Sequence, residues 1–352
     1  MGAISSSVGS GAAGAAQFPG SDSRKYNYFK PKGRRATHYE DMTVDVQPDP
    51  ERYLIQDWII GMPNGDGAYV KSATAAQSSN WHVFRAPDQE WERTHYQRQS
   101  RIEGMVQSVI ANARKAGTHK KFDRAWTGIL QTHLGAWKHA EFGLGTSLMQ
   151  AQRGGYTQMI NNAILTNSSY KMRLSQDITL YLAEIGLDIE GWNDELGKTA
   201  WVDDPIWQPT REAIESIMGC TDYLEQYFAI NIIFEPLVGE LFRSGFLMQA
   251  AAANGDPITA SVISSAEADY ERNLANTIDL IYLLVNDETH GTANKTVFQG
   301  WIAKHGALAD KAAAALQPIW SQPHSKPVSF ADSQAVSHER LGKILGELGL
   351  DR

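Results

Sequence analysis

An apolar period of 3.6 residues runs almost unbroken from residue 88 onward, and it constrains the fold more than any other feature. Pro87-Asp88 is expected to open a helix with one face marked by Ile102, Met105, Val106, Val109, Ile110 and Ala113. A second segment, about 119 to 153, ends at Gly154-Gly155, and a third runs from about 156 to Gly186. A fourth begins after Pro209 and carries Ile214, Ile217, Met218, Leu224, Tyr227, Phe228 and Ile232 at helical spacing. Its Glu235-Pro236 predicts a kink, because proline removes a helix hydrogen bond and crowds the preceding turn. The turn Asn254-Gly255-Asp256-Pro257 leads into a fifth helix, with Ile258, Val262, Ala266, Tyr270, Leu274, Ile278, Ile281 and Val285 on one face. Alternation of period two is nearly absent. Helices of roughly 30 residues, against a usual mean of about 11–12, predict an all-α bundle of long antiparallel helices.

The ends differ from this body. Residues 1–23 are Gly, Ala and Ser with no period, and are expected to form a disordered tail. MGAISS matches the loose myristoylation pattern at Gly2 and Ser6, one that Gly/Ser-rich tails meet by chance. Residues 24–80 read as an extended arm. Within it Lys25, Lys30, Lys32, Arg34 and Arg35 alternate with Tyr26, Tyr28 and Phe29. Such a stretch could stack bases, but 32 basic against 40 acidic residues, net −8, argue for protein anchoring and against nucleic acid. Residues 81–317 form the predicted bundle, and 318–352 a loop with prolines at 318, 323 and 327 followed by a short helix, Leu341 to Leu348. One cysteine, Cys220, excludes an internal disulfide and a zinc site built on cysteines, and fits a cytoplasmic location. No uncharged apolar run reaches the ~18 residues of a membrane span.

Long bundles can hold an iron pair, which needs a lone Glu from each of two helices and an E-x-x-H from each of two others. Glu92-Arg93-Thr94-His95 is the single E-x-x-H, and Asp287-Glu288-Thr289-His290 the single D-x-x-H. The first sits in a charged run and the second near a helix end, so neither makes a ligand set. A self-sufficient diiron oxidase built on them is one alternative, and a structural helical scaffold another. Nucleophile-elbow, P-loop and dinucleotide motifs are absent. His133 and His139 flank Trp137 and are expected to hydrogen-bond rather than catalyse, and Cys220, placed in the fourth helix, to act as a small buried hydrophobe. The ten tryptophans suit core packing or interface anchoring equally.

The string WHVFRAPDQEWERTHYQRQSR at 81–101 resembles the start of the helical core in small (beta) subunits of soluble diiron monooxygenase hydroxylases. GRRATHYEDMT and YLIQDWIIG resemble the arm of the same subunits, and the likeness spans about 24 to 348. Within the family the chain looks most like the actinobacterial propane and related short-chain alkane or cyclic-ether monooxygenases. The resemblance implies a ferritin-like bundle in which only the paralogous large subunit carries iron. HAEFGLG matches the segment of the first lone ligand Glu, placing Glu141 there. Where the first E-x-x-H falls, this chain has Lys171 and Leu174. NIIFEPL matches the second lone Glu, with Asn231 at that point, and the second E-x-x-H becomes Tyr270 and Asn273, these last two matches being free to shift by a turn.

On this reading the chain has no catalytic, cofactor-binding or metal residues of its own. Glu141 and Lys171 are expected to pair in a metal-free core, since an unpaired buried carboxylate is costly. The resemblance further implies a heterotetramer of two large (alpha) and two small chains, with the diiron centre in the large one. A coupling (regulatory) protein and an NADH-fed reductase complete the system. Its substrate would be propane, another short alkane, a cyclic ether or a phenol. Neither nucleic acid nor membrane is implied as a partner.

Overall fold

Two helix hairpins, packed side by side, organise the molecule. The computed structural model describes residues 36–44 and 72–351, and among these residues the regular structure is helical with no strand. Helix α1 spans Glu92–Lys115, α2 Arg124–Ile129, α3 Gly135–Ala151, α4 Gln158–Gly186 and α5 Glu195–Asp203. Then come α6 Gln208–Met218, α7 Tyr223–Phe228, α8 Thr259–Val285, α9 Gly291–Ala315 and α10 Phe330–Leu348. The first hairpin is α3 against α4. The second is α7, prolonged by a π-helical stretch Ala229–Gly239, against α8. Helices α4 and α8 join the hairpins, while α9 and α10 cover the π stretch. None of these helices is long and apolar enough to cross a membrane.

Local chemistry explains the boundaries. The Thr157 hydroxyl accepts from the Ile160 N–H to start α4, and Asp222 accepts from Leu224 and Glu225 to start α7. Gly135 and Gly197 let α3 and α5 touch backbone to backbone: a Cβ on Gly197 would lie 2.6 Å from the Gly135 Cα. The core is aromatic as well as aliphatic, with Trp126, Trp137 and Trp207 fully buried.

Several sequence expectations change. Pro87-Asp88 does not open α1; Asp88 accepts from the Glu90 N–H in a turn, and the helix starts at Glu92. Met105 is exposed, so the buried face of α1 is Val106, Ile110 and Ala113, with Ile102 partly covered. The fourth segment is not one helix: it breaks at residues 219–222, which puts Cys220 in a half-buried turn rather than a core. At Glu235-Pro236 the chain runs in a π-helical stretch, Ala229–Gly239, a local departure from α geometry around the missing proline N–H. The C-terminal helix is longer than Leu341 to Leu348 and begins at Phe330, where Ser329 caps it. Its Leu341, Ile344, Leu345 and Leu348 join the bundle core. The tail 1–23, the basic aromatic residues 25–35 and Trp58 lie outside the described residues. Of the arm, Glu40–Val44 forms one π turn near α4, and the Tyr39 hydroxyl accepts from the Ala86 N–H at 2.9 Å.

Candidate functional site

At the centre of the two hairpins, carboxylates and cations meet in a buried cluster whose one partly exposed member is Glu267. Glu141 comes from α3, Lys171 from α4 and Glu235 from the π stretch, and all three are 0 % exposed. Arg243, about two turns beyond Glu235 along the distorted helix, is equally buried. The Lys171 Nζ lies 2.9 Å from Glu141 Oε2 and also bonds Glu235 Oε1. Arg243 uses its whole fork: Nη1 reaches Glu141 Oε1 at 2.9 Å, Nη2 reaches Glu235 Oε2 at 2.6 Å, and Nε reaches Glu267 Oε1 of α8 at 2.5 Å. The Trp137 indole N–H donates to Glu141 Oε1 at 2.9 Å, and the guanidinium lies 5.8 Å from the Trp137 ring centroid. Gly239 makes room for this, because a Cβ there would stand 2.5 Å from Glu235 Oε2.

Opposite charges in a buried site favour the ionised forms. Burial alone would raise the Glu235 carboxyl, yet Arg243 and Lys171 outweigh it and hold the group below the usual carboxylate range. Burial likewise opposes the Arg243 charge, and Glu235, Glu267 and Glu141 together reverse that. Just outside the cluster, burial pushes Glu240 up to about 8 against the pull of Arg340, whose Nε is 3.6 Å away. Such a core is a weak source of net stability, yet breaking it is costly, since removing one partner leaves a buried charge uncompensated.

The matched positions fall on or next to this cluster. Glu141 and Lys171 are brought together as a pair. Leu174 is buried one turn along α4 and contributes packing. Asn231 does not face Glu141: it accepts from Asn167 Nδ2 at 2.9 Å and donates to Thr277 Oγ1 at 3.0 Å. The side chain from that segment that meets Glu141's partners is Glu235, one turn later. Tyr270 is buried and its hydroxyl donates to the Asn231 carbonyl at 2.9 Å, while Asn273 Nδ2 donates to the Asp269 carbonyl at 2.8 Å. Here too the residue in the cluster lies a turn away, at Glu267, so the α8 pattern at this level is Glu267-Ala268-Asp269-Tyr270, an i, i+3 pair. Glu235, Glu267 and Arg243 are therefore site residues that motif matching passes over, although the Glu-Pro of NIIFEPL and the E-x-x-Y of α8 were visible signals.

The other candidates separate. Glu92 is exposed while His95 is buried, with His95 Nδ1 3.2 Å from Glu90 Oε2. Asp287 accepts from the Thr289, His290 and Ser79 N–H groups, a structural tie that holds its carboxyl below the usual range. His133 is bonded at both ring nitrogens, to Gln322 and Trp207, and burial lowers its pKa. At the central cluster the donor set does not suit an iron pair: no histidine joins it, and an ammonium and a guanidinium fill the space between the carboxylates. What the arrangement does chemically is compensate charge.

Residues 58–288 match the methane/phenol/alkene hydroxylase family. The chain belongs to that family. It is 44 % identical to the propane 2-monooxygenase hydroxylase component small subunit of Rhodococcus jostii, over 96 % of this chain and 92 % of that one. The small subunit of the same name from a Gordonia strain is 43 % identical over the same shares. A solved phenol hydroxylase from a Pseudomonas strain, crystallised under xenon, superposes with a TM-score of 0.77 over 94 % of this chain and 99 % of that one, at 16 % identity. That likeness shows a shared ferritin-like helical fold, and the relatives place the chain among hydroxylase small subunits.

Proposed function

We propose that this chain is the non-catalytic small subunit of a multicomponent diiron monooxygenase that hydroxylates propane or a similar small hydrocarbon. The observation that carries the non-catalytic reading is the cluster itself: Lys171 and Arg243 stand among Glu141, Glu235 and Glu267 where relatives of the fold would need vacant ligands. The identity of the relatives supports the substrate class and the assembly. In this reading the large subunit holds the iron pair, which supplies oxygen activation, and electrons come from NADH through a reductase in the cytoplasm. The small chain fixes the geometry of a heterotetramer of two large and two small subunits and helps form the face where the coupling protein docks. Phe142 and Met149, exposed apolar side chains seven residues apart on one side of α3, suit such a partner face.

Co-expression with and without a large diiron subunit tests this. The small chain should co-purify with it, and propane hydroxylation should need both. An isolated small chain that is monodisperse, and a large subunit fully active without it, would overturn the reading. Deleting residues 24–53 should weaken co-purification while leaving the helical signal intact; unchanged co-purification would remove the arm from the account.

A further inference from the structure

Away from the central cluster, the break between α6 and α7 meets α9 in a second, smaller polar group. Cys220 lies in the break, Glu225 in the first turn of α7, and Lys304 and His305 on α9. One ligand-type atom from each of Cys220, Glu225 and His305 lies within 4.8 Å of the others. His305 Nε2 is 2.8 Å from Glu225 Oε1 and 4.0 Å from the Cys220 Sγ. The turn is pinned, since Gln226 Nε2 donates to the Cys220 carbonyl at 2.5 Å. His305 is 2 % exposed and aims Nε2 into the group, while its Nδ1 has no hydrogen-bond partner among the described residues. The imidazole is thus held only from the cluster side. A cation already sits there: Lys304 Nζ is 2.8 Å from Glu225 Oε1 and 3.5 Å from the Cys220 Sγ.

We propose that Cys220, Glu225 and His305 form a three-ligand site for Zn2+ or a divalent ion of similar softness, with the Lys304 ammonium standing in when the metal is absent. Thiolate, imidazole and carboxylate are the donor types zinc takes, and three protein ligands leave the fourth tetrahedral position to water. With bonds of roughly 2.0–2.3 Å, a tetrahedral ion spans donor atoms about 3.3–3.8 Å apart. The 2.8 Å His305–Glu225 and 4.0 Å His305–Cys220 spacings lie on either side of that range, with all three donors within 4.8 Å. The Lys304 side chain is 48 % exposed, so it can swing into solvent as the ion enters. A lone cysteine excludes a Cys-rich zinc motif but not this mixed donor set, which sequence spacing hides because residues 220, 225 and 305 share no motif.

The probe is Co2+, whose bond to a thiolate gives a charge-transfer band in the near ultraviolet. The full-length chain, in the assembly in which it purifies, is stripped with chelator and titrated with Co2+ and then Zn2+. The wild type should develop the band at one ion per chain, and Zn2+ should bleach it. Cys220→Ser should abolish the band and weaken Zn2+ binding at least tenfold, with unchanged far-ultraviolet circular dichroism. Lys304→Met should tighten binding severalfold, because it removes the competing cation; this variant keeps every ligand and guards against a misfolded Cys220→Ser. Absence of the band, or Zn2+ affinity indifferent to both substitutions, would overturn the site and leave a hydrogen-bonded tie between α7 and α9. Iron in the large subunit and hydrocarbon oxidation do not enter this readout, so the proposal stands or falls apart from the functional reading.

Discussion

Two groups of charged side chains in this molecule differ in one respect that decides their behaviour. In the central cluster both cations are buried and locked: Lys171 and Arg243 are 0 % exposed and bonded to two and three carboxylates. At the α6–α9 group the cation is Lys304, half in solvent and bonded to one carboxylate. The first cannot exchange its charges without unfolding around them, whereas the second can release a lysine and admit an ion. Burial, more than the kind of residue, separates a structural ion cluster from a candidate binding site.

The largest effect should come from Arg243→Gln. It leaves Glu141 and Glu235 to share the single Lys171 ammonium in a buried core, with one negative charge uncompensated, and should cost about 3–5 kcal/mol in denaturant unfolding, or abolish soluble protein. A loss under about 1 kcal/mol would mean that the cluster is hydrated and the contrast false. Next is Gly239→Ala, whose Cβ would collide with the Glu235 carboxylate. We expect about 1–3 kcal/mol of destabilisation, and a neutral substitution would show that the carboxylate can move.

Glu240 gives a pH-dependent test at the cluster's edge. Its folded pKa, pushed by burial to about 8, lies above its ordinary value of 4.5, so the folded state holds the proton more tightly. The stability this confers is fully present below the ordinary value and is lost as pH rises through about 8. Glu240→Gln should therefore raise the melting temperature by a few degrees at pH 8 and leave it unchanged at pH 4. Equal shifts at both would assign the effect to packing. The smallest effect should be Lys304→Ala in metal-free protein, within about 1 kcal/mol, as for other half-exposed pairs. A loss as large as that of Arg243→Gln would erase the distinction between the two groups.

Much of the frame was legible in sequence because long amphipathic helices announce themselves by phase, as α4 and α8 do. The Glu141–Lys171 pair, on α3 and α4, was anticipated from the resemblance, which set these two residues at the large subunit's ligand positions. The π stretch Ala229–Gly239 is different, with all eleven residues buried. A helix covered on every side has no polar face to fix its phase, so Asn231 and Glu235, one turn apart, are indistinguishable from pattern. The same turn of slippage separates Tyr270 from Glu267 on α8. Arg243 was hidden for another reason: a buried arginine is recognisable only from the carboxylates that converge on it, and these come from three other segments. Cys220 and His305 meet across 85 residues of chain, a contact that no local spacing records.

The most direct test of the central claim is an iron count on the purified hydroxylase assembly, with the small chain also analysed alone. The account predicts one iron pair per large–small pair and no iron on the isolated small chain. A second iron pair per large–small pair, or iron in the small chain that is lost on substituting Glu141 or Glu235, would contradict it.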